Sequence, residues 1–416
     1  QFADVRYGKL LRTMLVEEDP ISDGWLCDRG RYNVGFYEAP DRLTQPLYRK
    51  DGNFVQIGWD DAFILWAKAI REAIATRGAG SVGAIGGGRL TNEEAFALQH
   101  VFRSLDIPNL DWRASRQRQA TPGSHAAPLD RIDCAQAIVI LGESPALLAP
   151  VLWLRVRKAA FRNGAKVVHA RGARDARAEV GDASRVALIW DGADPSAARS
   201  YAEAFADLPD LSAYVASEQS NARGAEAMGM LPFCGPGYVA VEQGLDGYAM
   251  LDAARAGNMA VLSVFGVNPA RNALDPGAAS KALDNVPFLV VSELFMTETA
   301  ARATLVLPAK GAFEKIGTAI NLGGDLLPIN ASLAAPEFVR SDLEMLLGLA
   351  DQLGVAVPGD DELHRIAVAQ AAKPPPEITL GDPKFDTSRV TPSEAPSILS
   401  GGGTWQHDPW LGGMRA

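Results

Sequence analysis

The residues with the clearest chemical potential lie in the stretch Gly24-Trp25-Leu26-Cys27-Asp28-Arg29-Gly30-Arg31-Tyr32. It sets one cysteine in a glycine-flanked turn, followed by two arginines. Glycine carries no Cβ and tolerates positive φ, so such a turn lets the backbone approach a bulky inorganic centre. The thiolate is the form that ligates a metal, and Arg29 and Arg31 favour it. Chemistry alone also allows a plainer reading, with Cys27 as a small packed side chain. A second candidate is Gly86-Gly87-Gly88, which follows an apolar run. Backbone amides there could cradle phosphate at a helix start. The run lacks the full G-x-G-x-x-G pattern with its distant acidic residue, and reads as a turn. The five histidines (His100, His125, His169, His364, His407) show no metal-site spacing and read as surface or packed residues. Cys134 opens an apolar strand and Cys234 sits in a Pro/Gly turn, and both read as structural. No P-loop, H-E-x-x-H or nucleophile elbow occurs.

These residues need elements to hold them. Asp4 to Thr13 alternates around Tyr7-Gly8 and reads as a hairpin. Leu47 to Ile57 reads as another, turning at Asp51-Gly52. Together they predict a small antiparallel sheet under the Cys27 turn, over residues 1–58. A helix starts at Trp59-Asp60-Asp61, with Phe63, Trp66, Ala67, Ile70 and Ile74 on one face. Val82–Ile85 predicts a strand, and Thr91-Asn92-Glu93-Glu94 is a capping signal for the next helix. Ala137–Leu141, Lys166–His169, Val186–Trp190, Ser212–Ala216, Met259–Phe265, Phe288–Val291 and Thr304–Pro308 are apolar runs, strands covered on both faces. Asn221–Pro232 reads as a loop with a short turn. Strands alternating with helices imply parallel, doubly wound sheets whose ligands sit beyond the strand carboxyl ends. Gly86–Gly88, Gly142–Pro145 and Gly266–Pro269 all fall at such ends. The expected units are 1–58, a first α/β lobe over 59–184, a second over 185–372 that closes with the helix around Leu343–Leu353, and an extended or disordered tail over 373–416.

At 416 residues the chain is too long for one simple core. A net charge of −10 argues against a nucleic-acid surface. Three separated cysteines fit a reducing compartment. No apolar run approaches a membrane span, and no leader peptide opens the sequence, so direct membrane insertion is not expected.

The wording of the Cys27 stretch, followed by Asp41-Arg42-Leu43-Thr44-Gln45-Pro46-Leu47 and Trp59-Asp60-Asp61-Ala62, resembles the entry to the molybdopterin-oxidoreductase fold. It is most similar to the version in the G subunit (chain 3) of bacterial NADH-quinone oxidoreductase, respiratory complex I. The resemblance continues through Leu141-Gly142-Glu143-Ser144-Pro145, through Asn221-Ala222-Arg223-Gly224-Ala225-Glu226-Ala227-Met228-Gly229, through Thr297–Ala300, and through Glu314-Lys315-Ile316-Gly317-Thr318-Ala319-Ile320-Asn321. It covers most of residues 1–355. The stretch between His169 and Val186 is compact for this pattern, and 377–416 match no part of it.

The resemblance implies two doubly wound α/β lobes plus a small N-terminal antiparallel region. It also implies that Cys27 is the fourth ligand of a [4Fe–4S] cluster whose other three thiolates lie just upstream. No cysteine precedes Cys27 here, so an ordered cluster is not expected in this chain, which reads as a fragment of a longer protein. Molybdenum relatives bind a bis-pterin between the lobes, with a side chain from the loop before Ile138–Leu141 on the metal. In Asn109–Arg116 the available donors are Asp111 and Ser115, with no soft thiolate. Molybdopterin is therefore not expected. The implied role is a non-catalytic scaffold in the complex I peripheral arm, among its other subunits, on the cytoplasmic side of the inner membrane. The runner-up is a molybdenum or tungsten bis-pterin oxidoreductase of the formate dehydrogenase type.

Overall fold

Unbroken apolar runs become parallel strands, because a sheet covered on both faces buries every side chain of such a run. A computed structural model describes residues 1–169 and 172–375, so the expected tail lies outside the described residues from 376 onward. In chain order the strands are β1 (Phe2–Arg6), β2 (Lys9–Met14), β3 (Leu47–Lys50), β4 (Asn53–Gln56), β5 (Val82–Gly86), β6 (Asn109–Asp111), β7 (Ala137–Leu141) and β8 (Lys166–Val168). There follow β9 (Arg185–Trp190), β10 (Asp210–Val215), β11 (Val261–Phe265), β12 (Phe288–Glu293), β13 (Leu305–Pro308), β14 (Gly317–Ile320) and β15 (Leu326–Ile329). A seven-stranded sheet runs β4-β3-β13-β12-β11-β5-β6, and a four-stranded sheet runs β10-β9-β7-β8. The four-stranded sheet is parallel throughout, as is the larger one from β13 to β6. The α/β architecture with a small N-terminal antiparallel sheet is the one expected.

Sheet membership does not follow the linear division at 184/185. β5 and β6 pair into one sheet with β11–β13, whereas β9 and β10 complete the sheet begun by β7 and β8. The chain leaves the larger sheet after β6, builds the smaller one, and returns. The hairpins also part company. β1 and β2 pair alone, and the helix Asp28–Tyr32 packs on β2. β3 instead pairs with β13 through Tyr48 and Leu47. It thereby covers backbone groups that an open edge would leave unpaired.

The helix Trp59–Arg77 buries Trp59, Phe63, Trp66, Ala67 and Ile70, and Gly78 ends it at φ 83°. Trp66 lies wholly inside, its Nε1 donating to Ser263 Oγ at 3.1 Å. Each such large side chain contributes about 1.5–3 kcal/mol. The helix Asn92–Arg103 starts with the expected capping box between Thr91 and Glu94. Two short elements depart from expectation. Ala222–Ala227 is helical, although its Gly/Ala-rich sequence shows no apolar period. A further helix, Asp360–Ala371, follows Asp342–Leu353. It buries only Leu363 and Ala367, too few anchors to show in the sequence.

Candidate functional site

In a doubly wound fold the place to look is the carboxyl ends of the strands. The glycine turns do gather there, but this chain's own atoms occupy the space they leave. Gly87 N donates to Phe265 O at 3.0 Å, and Gly88 N donates to Gln219 Oε1. A Cβ on Gly88 would stand 2.5 Å from the backbone N and Cα of Ala222. A Cβ on Gly142 would stand 2.5 Å from the Asp191 carboxylate. These glycines serve close packing, and the Gly87 and Gly88 amides that could have cradled phosphate are taken by the chain itself. Gly88→Ala should therefore destabilise the protein by about 1–3 kcal/mol, because backbone cannot yield as a flexible side chain would. A urea midpoint unchanged from the parent would contradict this.

Around the turns lies a buried polar network built from the most specific sequence motif. Asn221 Nδ2 donates to Leu90 O at 2.8 Å and Asn92 Oδ1 at 3.0 Å, and its Oδ1 accepts from Ile320 N at 2.8 Å. Gly224 admits both asparagines, since a Cβ there would overlap Asn221 Oδ1 and Asn92 Oδ1. Glu226 accepts from Ala120 N at 2.7 Å and Thr121 N at 2.9 Å. It clamps the chain crossing from β6 to β7. Thr299 Oγ1 donates to Asn268 Oδ1 at 2.7 Å, joining the Thr297–Ala300 motif to the Gly266–Pro269 turn.

Glu226 and Glu293 are among the buried carboxyls with perturbed acidity. Burial pushes the pKa of Glu226 from 4.5 up to about 7, against the pull of its two backbone donors and Arg113. Burial also pushes Glu293, at the end of β12, from 4.5 up to about 7. The folded state then binds these protons more tightly than the unfolded state. Their contribution to stability is full below pH 4.5 and declines as pH rises toward 7. The decline is on the order of 3 kcal/mol per group. The double variant Glu226→Gln, Glu293→Gln should flatten the fall in urea midpoint between pH 5 and pH 7. The same fall in parent and variant would sink the assignment.

Asp111 closes β6 with no exposure, and burial raises its pKa against the pull of Arg113. Its Oδ1 accepts from Arg113 Nε at 2.8 Å, and its Oδ2 accepts from Gly247 N at 2.8 Å. Ser115 is buried, and its Oγ has no hydrogen-bond partner among the described residues. Arg116 reaches from the same loop to Glu143 at 3.2 Å and Asp191 at 3.0 Å, across the mouth of the four-stranded sheet. Of the two expected oxygen donors, only Ser115 Oγ is left without a partner among the described residues. Asp111 is committed to an arginine and an amide, and the strand-end glycines are covered.

Cys27 caps the helix Asp28–Tyr32, its Sγ accepting from Gly30 N at 3.5 Å. Cys234 is buried, whereas Cys134, expected to open an apolar strand, is exposed at the end of the short 3-10 helix Leu129–Cys134, ahead of β7. Among the described residues no group of three or more His, Cys, Asp or Glu side chains could hold a metal ion. A [4Fe–4S] cluster, which needs four thiolates, does not fit the described residues by themselves. His100 Nε2 lies 2.9 Å from Ala356 O, and His364 Nδ1 lies 3.3 Å from Glu93 Oε1. Among the described residues the fold builds no histidine cluster.

Two buried ion pairs are invisible to sequence patterning. Arg42 forms a two-point pair with Glu314, and Lys315 Nζ lies 2.7 Å from Glu94 Oε2. The one available signal is that Arg42, Glu314 and Lys315 stand inside the strings that carry the resemblance.

The parallel sheets and their strand-end turns define a doubly wound α/β protein, and the chain belongs to the molybdopterin oxidoreductase family, whose sequence model matches residues 42–182 and 187–352. Among individual proteins it is similar to the G subunit of NADH-quinone oxidoreductase from Streptomyces coelicolor, 28% identical over 85% of this chain and 51% of that protein. It is also similar to the alpha subunit of F420-dependent formate dehydrogenase from Methanocaldococcus jannaschii, 25% identical over 84% of this chain and 68% of that protein. Acetylene hydratase from Pelobacter acetylenicus shares the fold, with TM-score 0.54 and 14% identity over 79% of this chain and 64% of that one. The chain spans about half the length of the NADH-quinone oxidoreductase relatives it matches. Among the described residues no helix is long and apolar enough to cross a membrane.

Proposed function

We propose that this chain is the scaffold part of the G subunit in an NADH:quinone oxidoreductase, supporting electron transfer from NADH to quinone without molybdenum chemistry of its own. What carries the reading is the self-filled crevice. Gly87 and Gly88, Gly142 and Asp111 all spend their space or their donors on the chain's own residues. Similarity to NADH-quinone oxidoreductase relatives over 85% of the chain supports the same reading. In it the chain packs among other peripheral-arm subunits, at the cytoplasmic side of the inner membrane. Cys27 then supplies one thiolate to a [4Fe–4S] cluster completed by ligands outside the described residues.

Similarity to formate dehydrogenases favours a second reading, a molybdenum or tungsten bis-pterin oxidoreductase. In that reading the buried, unpartnered Ser115 Oγ faces the metal. Elemental analysis of the complete gene product, purified without oxygen, separates the two. Iron without molybdenum or tungsten is the expected result. Stoichiometric molybdenum or tungsten would overturn the scaffold reading.

A further inference from the structure

The segment between β2 and the helix Asp28–Tyr32 carries Cys27, yet nothing apolar holds it. None of residues 15–27 is buried, and none belongs to a hydrophobic cluster of the described structure. Among the described residues no strand pairs with it. Its turns are local: Asp19 accepts from Ile21 N at 3.1 Å and Ser22 N at 3.0 Å, and Asp23 and Gly24 both take positive φ.

Its long-range anchors come from the helix Pro150–Asn163, which packs on the four-stranded sheet's layer. Arg155, whose side chain is 2% exposed, donates through Nη2 to Pro20 O and to Ile21 O, both at hydrogen-bond distance and the latter at 2.9 Å. Its Nη1 donates to Asp133 Oδ2 at 3.0 Å. One turn further on, Lys158 Nζ reaches Asp23 Oδ2 at 2.7 Å and Asp133 Oδ2 at 3.0 Å. Beyond the cysteine, Arg29 Nη1 donates to Leu147 O at 3.3 Å. A guanidinium is costly to bury unless its donors are used. Arg155 spends two of these bonds on backbone carbonyls of the segment, so removing it costs the segment its main buried contact.

We propose that Arg155, with Lys158 and Asp133, is a latch that pins residues 15–27 to the four-stranded lobe and thereby sets the exposure of the Cys27 thiol. The Cys27 turn then takes its position from that lobe as well as from the β1–β2 hairpin beneath it. The latch concerns the thiol itself and holds whether or not Cys27 ligates iron.

The test uses the whole chain with Cys134→Ser, so that Cys27 is the partly exposed thiol and buried Cys234 reports global opening. Alkylation by iodoacetamide is followed at each cysteine by mass spectrometry. Arg155→Met should raise the Cys27 rate roughly tenfold or more and leave Cys234 unchanged, because a local anchor governs local opening. Arg155→Lys, which keeps one charged donor, should give a smaller rise. An unchanged Cys27 rate would overturn the proposal. So would both thiols rising in step, since Arg155 would then hold the whole fold. If Arg155→Met does not fold, Asp23→Asn with Lys158→Met loosens the segment while keeping Arg155. That pair should raise Cys27 alkylation several-fold with Cys234 unchanged, and no rise would count against the latch.

Discussion

Lys315→Met is expected to lower stability by about 3–5 kcal/mol, the range for removing one partner of a buried ion pair. Lys315 is buried between helix starts. Its Nζ lies 2.7 Å from Glu94 Oε2 and 3.6 Å from Asp342 Oδ2, and it also reaches Arg89 O at 3.4 Å. Burial works to lower its pKa, but the two carboxylates outweigh burial and keep it charged. Asp342 is pushed from 3.8 up to about 6, by burial first and by Glu94 second, and it accepts from Ser292 Oγ at 2.5 Å. Without the ammonium, two carboxyls would share a dry site with a hydroxyl and a few amides. One must then bind a proton, or water must enter. Glu94 also closes the capping box that starts Asn92–Arg103, so the loss reaches that helix. The measurement is the urea midpoint and its slope at pH 7. Adding Asp342→Asn to Lys315→Met should restore part of the loss by removing the stranded charge. A loss below about 1 kcal/mol would mean the lysine contributes no more than an exposed pair.

Arg42→Met should cost a similar amount, about 3–5 kcal/mol. Its Nη1 meets Glu314 Oε1 at 2.7 Å and its Nη2 meets Glu314 Oε2, with side chains 4% and 2% exposed. The same Nη1 also donates to Tyr37 O at 3.3 Å. Glu314 in turn accepts from Gly311 N at 2.8 Å, and Tyr37 Oη accepts from Phe313 N at 2.9 Å. Two chain segments far apart in sequence are thus tied by a planar fork on a planar carboxylate, an arrangement a lysine cannot copy. Arg42→Lys is accordingly expected to recover only part of the loss. Amide exchange across residues 34–43 should speed up in Arg42→Met, because that segment packs through Val34, Phe36, Tyr37 and Ala39 against Phe295. Unaltered exchange there would refute this account.

The two pairs explain words of the sequence that look merely characteristic. Arg42 stands in the motif Asp41–Leu47, and Glu314 and Lys315 stand together in Glu314–Asn321. Asn221–Gly229 is legible as a specific string and illegible as structure. Its helix is held by Asn221 and Glu226, whose partners Asn92, Ile320, Ala120 and Thr121 come from three other places in the chain. Composition can say that an acid stands among alanines and glycines, but not that two amides will meet it. Asp111 shows the limit in the other direction. Its type and position allow a metal ligand, and burial beside Arg113 gives it another task.

The sequence by itself determined the local pieces. Apolar runs without alternation marked β5, β7, β9, β11, β12 and β13, and the helix Trp59–Arg77 was readable from its 3.6-residue period. The positive-φ turns at Tyr7-Gly8 and Asp51-Gly52 and the Thr91 capping box were readable from residue type. Backbone stereochemistry and periodic burial act over a few residues, so a few residues suffice to show them. Tertiary structure alone decided which sheet each strand joins, that β3 guards the β13 edge, which charges meet in the interior, and that the strand-end glycines are covered by Gln219, Ala222 and Asp191. Those outcomes depend on close packing and on pairing buried polar groups across long stretches of chain. Many partners are possible for each group in the sequence, and the fold selects one.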